Sequence, residues 1–152
     1  DVLSYKGHST AVRIKLAEQT SEFIPSPTNY VAGDQISGFE GVIGSDFDDD
    51  LNGTAGRNLL EGGAGNDRLS GGDGFDTFVF RAGHGMDRIT DFTVGEDKLM
   101  FDFGGSVDDF DISVIESANG EETHTRIQTA DGLIDLFGVE IDELGATSFV
   151  FV

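Results

Sequence analysis

Four consecutive nine-residue units between Gly44 and Val79 constrain the fold of this chain more than any other feature of its sequence. Each unit opens with glycine, carries Asp or Asn at its sixth position and has a large apolar residue at its eighth. The units read GSDFDDDLN, GTAGRNLLE, GGAGNDRLS and GGDGFDTFV. Nine residues are too few to bury an apolar face alone, so the units must stack, and one large side chain per unit suits a thin solenoid core.

The polar half of each unit has the composition of a cation-binding loop. Its glycines permit positive φ angles and a close approach of backbone carbonyls. The sixth-position side chains supply further oxygen ligands, and they are Asp49, Asn58, Asp67 and Asp76. Oxygen-only ligation of this kind suits Ca²⁺. A flexible Gly-Asp linker is the alternative for a single unit, but four units in phase favour a folded structure.

The pattern G-G-x-G-x-D-x-U-x, in which U is a large apolar residue, resembles the calcium-binding nonapeptide repeat of RTX (hemolysin-type) proteins. The likeness continues through 87–92, which is similar to C-terminal parts of serralysin-type proteases and alginate epimerases. This resemblance implies an all-β fold, namely a parallel β-roll with a C-terminal antiparallel β cap. The expected divisions are irregular N-terminal coils at 1–43, calcium-binding repeats at 44–103 and the cap at 104–152.

The resemblance also implies about three to four bound Ca²⁺ ions. Two units then make one coil, so that each ion lies between loops two units apart. One side carries Asp49, Asp67 and Asp87, and the other carries Asn58, Asp76 and Asp97. Because Asn58 removes one negative charge, we expect the Asn58/Asp76 site to be weaker. The full predicted set of metal-site residues is Gly44, Asp46, Asp49, Gly53, Asn58, Gly62, Gly63, Gly65, Asp67, Gly71, Gly72, Gly74, Asp76, Asp87 and Asp97.

The segments before the repeats predict irregular extensions of the same stack. AVRIKL at 11–16 alternates apolar and polar residues, which predicts a half-buried strand, and residues 39–43 predict another. Residues 18–32 contain both prolines and predict an exposed loop, whether plain or functional. Residues 33–36 repeat the end of a unit. Residues 1–4 match the back half of a unit, so we expect a fragment of a longer protein.

Beyond Val79 the repeat loosens and then ends. Asp87-Arg88-Ile89 and Asp97-Lys98-Leu99 predict two further turns. The pattern then predicts an antiparallel meander of three strands, with Asn119-Gly120 and Asp131-Gly132 as hairpin signals. The three segments are FDISVIES, THTRIQT and LIDLFGV. The C-terminus is acidic and then apolar, looks exposed and ends in SFVFV. It resembles the signals of RTX proteins exported by type I secretion, and it suits a last cap strand equally well.

Composition limits the partners of the chain. With 29 acidic against 9 basic residues, the formal charge of −20 argues against nucleic acid and anionic membrane surfaces. No segment is long and apolar enough to span a bilayer. The absence of cysteine removes disulfides and thiolate metal sites. His8, His84 and His124 form no H-E-x-x-H motif or close pair, so a zinc protease centre is absent and exposed or loop histidines are expected.

These features predict a non-catalytic calcium-binding module of a larger secreted bacterial protein. The resemblance implies export by the type I secretion machinery and folding on calcium outside the cell. A second hypothesis is a polysaccharide-binding module for an upstream enzyme such as an alginate epimerase or protease, although the acidic surface makes a polyanion awkward unless calcium bridges it. A third is catalysis by paired carboxylates, which is disfavoured because the acids fall at the repeat's ligand position.

Overall fold

The computed structural model describes residues 1–17, 20–23, 31–35, 38–116 and 123–152. Strands form nearly all of the regular structure. They are β1 (Val2–Ser4), β2 (Val12–Lys15), β3 (Thr20–Phe23), β4 (Val31–Gln35), β5 (Gly41–Ile43), β6 (Asp50–Asn52), β7 (Leu59–Glu61), β8 (Arg68–Ser70), β9 (Thr77–Phe80), β10 (Gly85–Ile89), β11 (Lys98–Phe101), β12 (Asp111–Glu116), β13 (Thr123–Gln128), β14 (Gly132–Phe137) and β15 (Phe149–Phe151). Short 3₁₀ helices lie at Val107–Asp109, Ile141–Glu143 and Ala146–Ser148.

Successive repeat units place their strands alternately in two facing sheets. Leu51 of the first unit pairs in parallel with Leu69 of the third, and Leu60 of the second pairs with Phe78 of the fourth. The glycine-rich half of each unit turns the chain from one sheet to the other. Two units therefore make one coil of a parallel β-roll, as the sequence predicted.

One sheet has six strands in the order β1-β5-β7-β9-β11-β15 and is parallel throughout. The other has nine strands in the order β12-β13-β14-β10-β8-β6-β2-β3-β4. Its central pairs are parallel, whereas β2-β3-β4 and β12-β13-β14 are antiparallel. The roll is thus widened at both ends of the nine-stranded sheet by antiparallel strands.

The core lies between the two sheets, and both sheets contribute buried side chains to it. The eighth-position residues are all fully buried, and they are Leu51, Leu60, Leu69 and Phe78. Full burial of such a side chain contributes about 1.5–3 kcal/mol. Ile89 and Leu99 continue the same two rows beyond the repeats, which confirms the two further turns that the D-x-U signals predicted.

The N-terminal segment joins the roll only in part. The strand predicted at 11–16 is confirmed as β2, whose Val12 and Ile14 are buried. The expectation of an exposed loop at 18–32 is wrong for Thr20–Phe23, because β3 pairs antiparallel with β2. Residues 33–35 belong to β4, which pairs antiparallel with β3, so they are not a turn of the roll. Backbone pairing at the open edge of β2 drives this departure; Pro25, Pro27 and Ile36 lie outside the described residues.

The C-terminal meander is confirmed, since β12, β13 and β14 pair antiparallel in sequence order. Asp131-Gly132 lies at the tight connection before β14, while Asn119-Gly120 lies outside the described residues. β14 pairs in parallel with β10. The predicted cap strands therefore extend an existing sheet, because the backbone groups of β10 would otherwise remain unpaired at its edge.

The last strand continues the six-stranded sheet. β15 pairs in parallel with β11, and the Phe151 ring stacks on Phe101 with centroids 5.5 Å apart. Phe101 stacks in turn on Phe80 at 5.5 Å. The exposed appearance of the SFVFV terminus is therefore misleading, because Phe149–Phe151 is half-buried against this aromatic column.

Candidate metal sites

The sixth-position acids of alternate units form a buried ladder along one side of the roll. The backbone N–H of Asp49 donates to Oδ1 of Asp67, which lies 18 residues later, at 2.7 Å. The N–H of Asp67 donates to Oδ1 of Asp87 at 3.1 Å. The N–H of Val12 donates to Oδ1 of Asp49 at 2.7 Å and extends the ladder by one turn. The structure thus brings together the three acids that the sequence placed on this side.

The second ladder runs along the opposite side. The N–H of Asn58 donates to Oδ1 of Asp76 at 2.7 Å, and the N–H of Asp76 donates to Oδ1 of Asp97 at 2.9 Å. Asn58 also donates from Nδ2 to the carbonyl of Glu40 at 3.0 Å. An ionised aspartate cannot donate this bond, so the asparagine suits the end of the ladder.

The second carboxylate oxygens separate these acids into two groups. Oδ2 of Asp49 accepts from the backbone N–H of Ser45 at 2.5 Å, and Oδ2 of Asp97 accepts from the N–H of Thr93 at 2.8 Å. By contrast, Oδ2 of Asp67 and Oδ2 of Asp76 are buried and have no hydrogen-bond partner. A buried carboxylate oxygen without a partner is strongly unfavourable. Both orphaned oxygens belong to the two units with the complete G-G-x-G-x-D motif, and a cation would satisfy them.

Glycine is required where these loops stack. A Cβ atom on Gly62 would lie 2.1 Å from Oδ2 of Asp67. Gly63 has φ +108° and approaches the carbonyl of Ser45, to which a Cβ would be 2.0 Å. At the other glycines of the predicted set a Cβ would lie between 2.0 and 2.9 Å from an atom of the stacked loops, and they are Gly44, Gly53, Gly65, Gly71, Gly72 and Gly74. The space beside each orphaned oxygen is therefore lined by backbone.

The carboxylate side chains do not supply enough ligands to complete the candidate metal sites. Among the described residues, no three acidic or histidine side chains converge in a metal-binding group. Asp46 is exposed and lies outside both ladders. Any cation between stacked loops must therefore take most of its ligands from backbone carbonyls, which is compatible with the six to eight oxygen ligands of Ca²⁺.

Burial makes ionisation of the ladder acids unfavourable in the absence of a cation. Burial, together with the charges of Asp87 and Asp49 and against the opposing hydrogen bond, raises the pKa of Asp67 to about 8. Burial raises the pKa of Asp76 to about 6. The pKa values of Asp49, Asp87 and Asp97 are also raised by burial. Near pH 7 the ladders therefore favour a bound cation or a proton.

His84 ends the first ladder and was missed by the sequence analysis. Its Nδ1 is 2.8 Å from Oδ2 of Asp87, and its Nε2 is 3.0 Å from Oγ1 of Thr129. His84 lies in the loop between β9 and β10, as the expectation of exposed or loop histidines allows, but its side chain is buried. The imidazole gives Asp87 the partner that Asp67 lacks. Thr129 lies 45 residues away, and no local signal predicts that contact.

Asp91 is a second residue whose role the sequence analysis missed. Its carboxylate accepts from the backbone N–H groups of Gly71 and Gly72 at 3.0 and 2.9 Å and from Oγ of Ser70 at 2.6 Å. It thereby fixes the loop that leads to Asp76. Asp91 belongs to the D-x-I-x-D-F stretch at 87–92, whose second acid was the available signal.

Comparison with known proteins accounts for this geometry. A family profile described as RTX calcium-binding nonapeptide repeat matches residues 43–78 in four copies. The chain carries RTX calcium-binding repeats. No curated protein sequence matches it.

Two solved structures are similar to this chain over most of its length. The AlgE6R2 subunit of the Azotobacter vinelandii mannuronan C5-epimerase is 27% identical with a TM-score of 0.54, over 99% of this chain and 91% of that one. Extracellular lipase LipA from Serratia marcescens is 19% identical with a TM-score of 0.56, over 88% of this chain and 24% of that one. The second likeness shows the β-roll fold alone, and this chain spans about a quarter of the lipase.

Proposed function

We propose that this chain is a calcium-dependent folding module of a larger secreted bacterial protein. The observation that carries the proposal is the pair of buried, partnerless oxygens Oδ2 of Asp67 and Oδ2 of Asp76. Bound Ca²⁺ would supply the positive charge that these oxygens lack. Because the loops that surround them exist only in the stacked roll, ion binding and folding are coupled.

The proposed ion sites lie between consecutive members of each ladder. They are Asp49/Asp67, Asp67/Asp87, Asn58/Asp76 and Asp76/Asp97, which gives about three to four ions with oxygen ligation. Carbonyls of the glycine-rich loops complete each set, and the Asn58/Asp76 site is the weakest because it has one charge fewer. Asp46, which is exposed, has at most an outer role.

Charge explains why the module remains unfolded before export. The formal charge of −20 and the raised pKa values of the ladder acids both disfavour the metal-free roll near neutral pH. Extracellular calcium modules have dissociation constants on the order of 10⁻⁴ to 10⁻³ M. The chain would then pass through the type I machinery unfolded and fold where calcium is abundant.

Isothermal titration of the chelator-treated chain with calcium tests the folding proposal. We expect about three to four ions and a gain of β signal in circular dichroism over the same calcium range. Absence of binding at millimolar calcium would contradict the proposal. We infer no catalysis by the module itself, and turnover by the isolated 152-residue chain would overturn that inference.

The export role concerns the C-terminal strand. β15 packs on the six-stranded sheet, so its deletion must be compared with a substitution that only weakens the packing. We expect deletion of Thr147–Val152 to lower export of a fused passenger far more than Phe151→Ala does, while both lower thermal stability. Equal export of the two variants would mean that the terminus serves only the fold.

A second candidate function is calcium-dependent binding of a polysaccharide for an upstream enzyme. The similar AlgE6R2 subunit belongs to a mannuronan C5-epimerase. The specific observation that favours this candidate is a row of arginines on the outer face of the nine-stranded sheet. Glycan-array binding with and without calcium separates it from a purely folding role.

No helix of the described residues could cross a membrane.

A further inference from the structure

A row of charged residues crosses the outer face of the nine-stranded sheet from β2 to β13. Strand register places one member on each of six adjacent strands. In order, the row is Arg13, Asp50, Arg68, Arg88, Asp135 and Arg126. With a spacing of about 4.8 Å between strands, it is roughly 24 Å long. Four arginines against two aspartates make this row positive on a chain whose formal charge is −20.

Three of the four arginines in the row form ion pairs with its aspartates. Asp50 contacts both Arg13 at 3.1 Å and Arg68 at 3.3 Å. Asp135 accepts two bonds from the Arg126 guanidinium, each 2.7 Å long. Arg88 is exposed and forms no ion pair with any described residue.

Arg88 is also the direct cross-strand partner of Arg68. Like charges directly opposite each other destabilise a sheet. An anion placed between the two guanidinium groups would convert this repulsion into attraction.

A groove surrounds Arg88. It has a volume of about 430 Å³, and its walls include three arginines, three aspartates and the apolar side chains of Met86 and Leu133. The charged residues are Arg68, Arg88, Arg126, Asp67, Asp87 and Asp135. Met86 is 55% exposed. Apolar side chains beside guanidinium groups suit a ligand that has both a carbon face and a carboxylate, because arginine matches the planar carboxylate with paired donors.

We propose that this groove binds a linear carboxylate-bearing polysaccharide, with Arg88 as the central contact to a carboxylate. The length of the row favours an extended polymer over a single small anion. The row is one residue wide in an otherwise acidic molecule, which disfavours the broad phosphate surface of a nucleic acid. The proposal deepens the second candidate function and rests on the calcium-bound roll of the first.

The groove shares two residues with the proposed Asp67/Asp87 calcium site. Asp67 and Asp87 belong to its lining as well as to the first ladder. Where these aspartates are ionised their charges oppose the arginines, whereas a bound cation compensates them, and the groove itself exists only in the stacked roll. Binding of the polysaccharide therefore requires the calcium-loaded state.

The test uses the full chain with free calcium buffered at a saturating level, because uronate sugars bind calcium themselves. The probe is a short galacturonate oligosaccharide, compared with an uncharged galactose oligosaccharide of equal length and with a single-stranded DNA oligonucleotide. The variants are Arg88→Gln and, as a charge-matched control, Arg57→Gln, which changes an exposed arginine in a loop before the other sheet. Arg88 is exposed, is flanked by Arg68 and by Asp135 and forms no ion pair with a described residue, so Arg88→Gln should fold normally.

We expect the galacturonate to bind and the other two probes to bind weakly or not at all. Loss of a charge-assisted contact should weaken galacturonate binding about tenfold in Arg88→Gln, against less than about twofold in Arg57→Gln.

A chain that folds with calcium but does not bind galacturonate would overturn this inference and leave the folding proposal intact. Equal losses in the two variants would overturn it as well, as would tighter DNA binding with the same dependence on Arg88. A chain that shows no calcium-dependent β signal would instead overturn the folding proposal.

Discussion

Asp67→Asn should have opposite effects on the metal-free and the calcium-bound roll. The substitution keeps the shape of the side chain and removes its charge. Asn58 already occupies the sixth position of its own unit, where its Oδ1 accepts from the backbone N–H of Thr54 at 2.7 Å. In Asp67→Asn the remaining Oδ1 can still accept from the backbone N–H of Asp49, so the variant should keep the stacked loops.

The change in stability can be worked out for both the metal-free and the calcium-bound roll. Burial raises the pKa of Asp67 from 3.8 to about 8, so near pH 7.5 its charge costs the metal-free roll on the order of 5 kcal/mol. The asparagine removes that cost. The variant also takes a charged ligand from two proposed sites, and a tenfold loss at each corresponds to about 3 kcal/mol of calcium-dependent stability.

Circular dichroism in chelator and thermal unfolding over a calcium series separate the two effects. In chelator, Asp67→Asn should show more β signal than the parent chain. Over a calcium series that starts at the concentration where the parent chain folds, its calcium-induced rise in Tm should be smaller by roughly 6–12 °C. Asp108→Asn is the charge-matched control, because Asp108 is exposed and lies outside the repeats. If Asp108→Asn reduces the calcium-induced rise as much as Asp67→Asn does, bulk charge governs the transition and the ladder account is refuted.

Two further predictions follow from the loops. Gly85→Ala should strongly destabilise the calcium-loaded roll, because its Cβ would lie 1.8 Å from the carbonyl of Gly65. Gly83→Ala is the control, since Gly83 has a similar φ but no atom within 4 Å of an added Cβ. Equal Tm values for the two variants would contradict this packing argument. In chelator, β signal should grow as pH falls from about 8 toward 4, because the folded pKa values of Asp67 and Asp76 lie above their unfolded value of 3.8. Protons then favour the folded state, and β signal that declines steadily with acid would contradict the raised values.

The parts of the fold that repeat locally could be predicted from sequence. The two-unit coil that the RTX resemblance implies placed Asp49 and Asp67 on one side of the roll, and the looser D-x-U signal added Asp87. Their backbone-to-carboxylate bonds confirm that arrangement. What the sequence could not predict depends on register between distant segments. The contact between His84 and Thr129 spans 45 residues.

The arginine row is hidden in the sequence for the same reason. Arg13 meets Asp50, and Arg88 meets Asp135, only through strand pairing that skips intervening segments. Net charge alone therefore argued against a polyanion ligand, although the folded chain gathers four of its arginines on one face. The β2-β3-β4 meander escaped prediction because loop composition at 18–32 does not reveal an edge available for pairing.

The most direct test of the calcium-dependent roll is far-UV circular dichroism of the chain in chelator, in millimolar magnesium and in millimolar calcium. The buried, partnerless oxygens of Asp67 and Asp76 predict a largely disordered spectrum in chelator and a cooperative gain of β signal with calcium. Magnesium should fail to replace calcium, because it requires a tight octahedral shell and retains its waters. A spectrum unchanged between chelator and calcium would contradict the account.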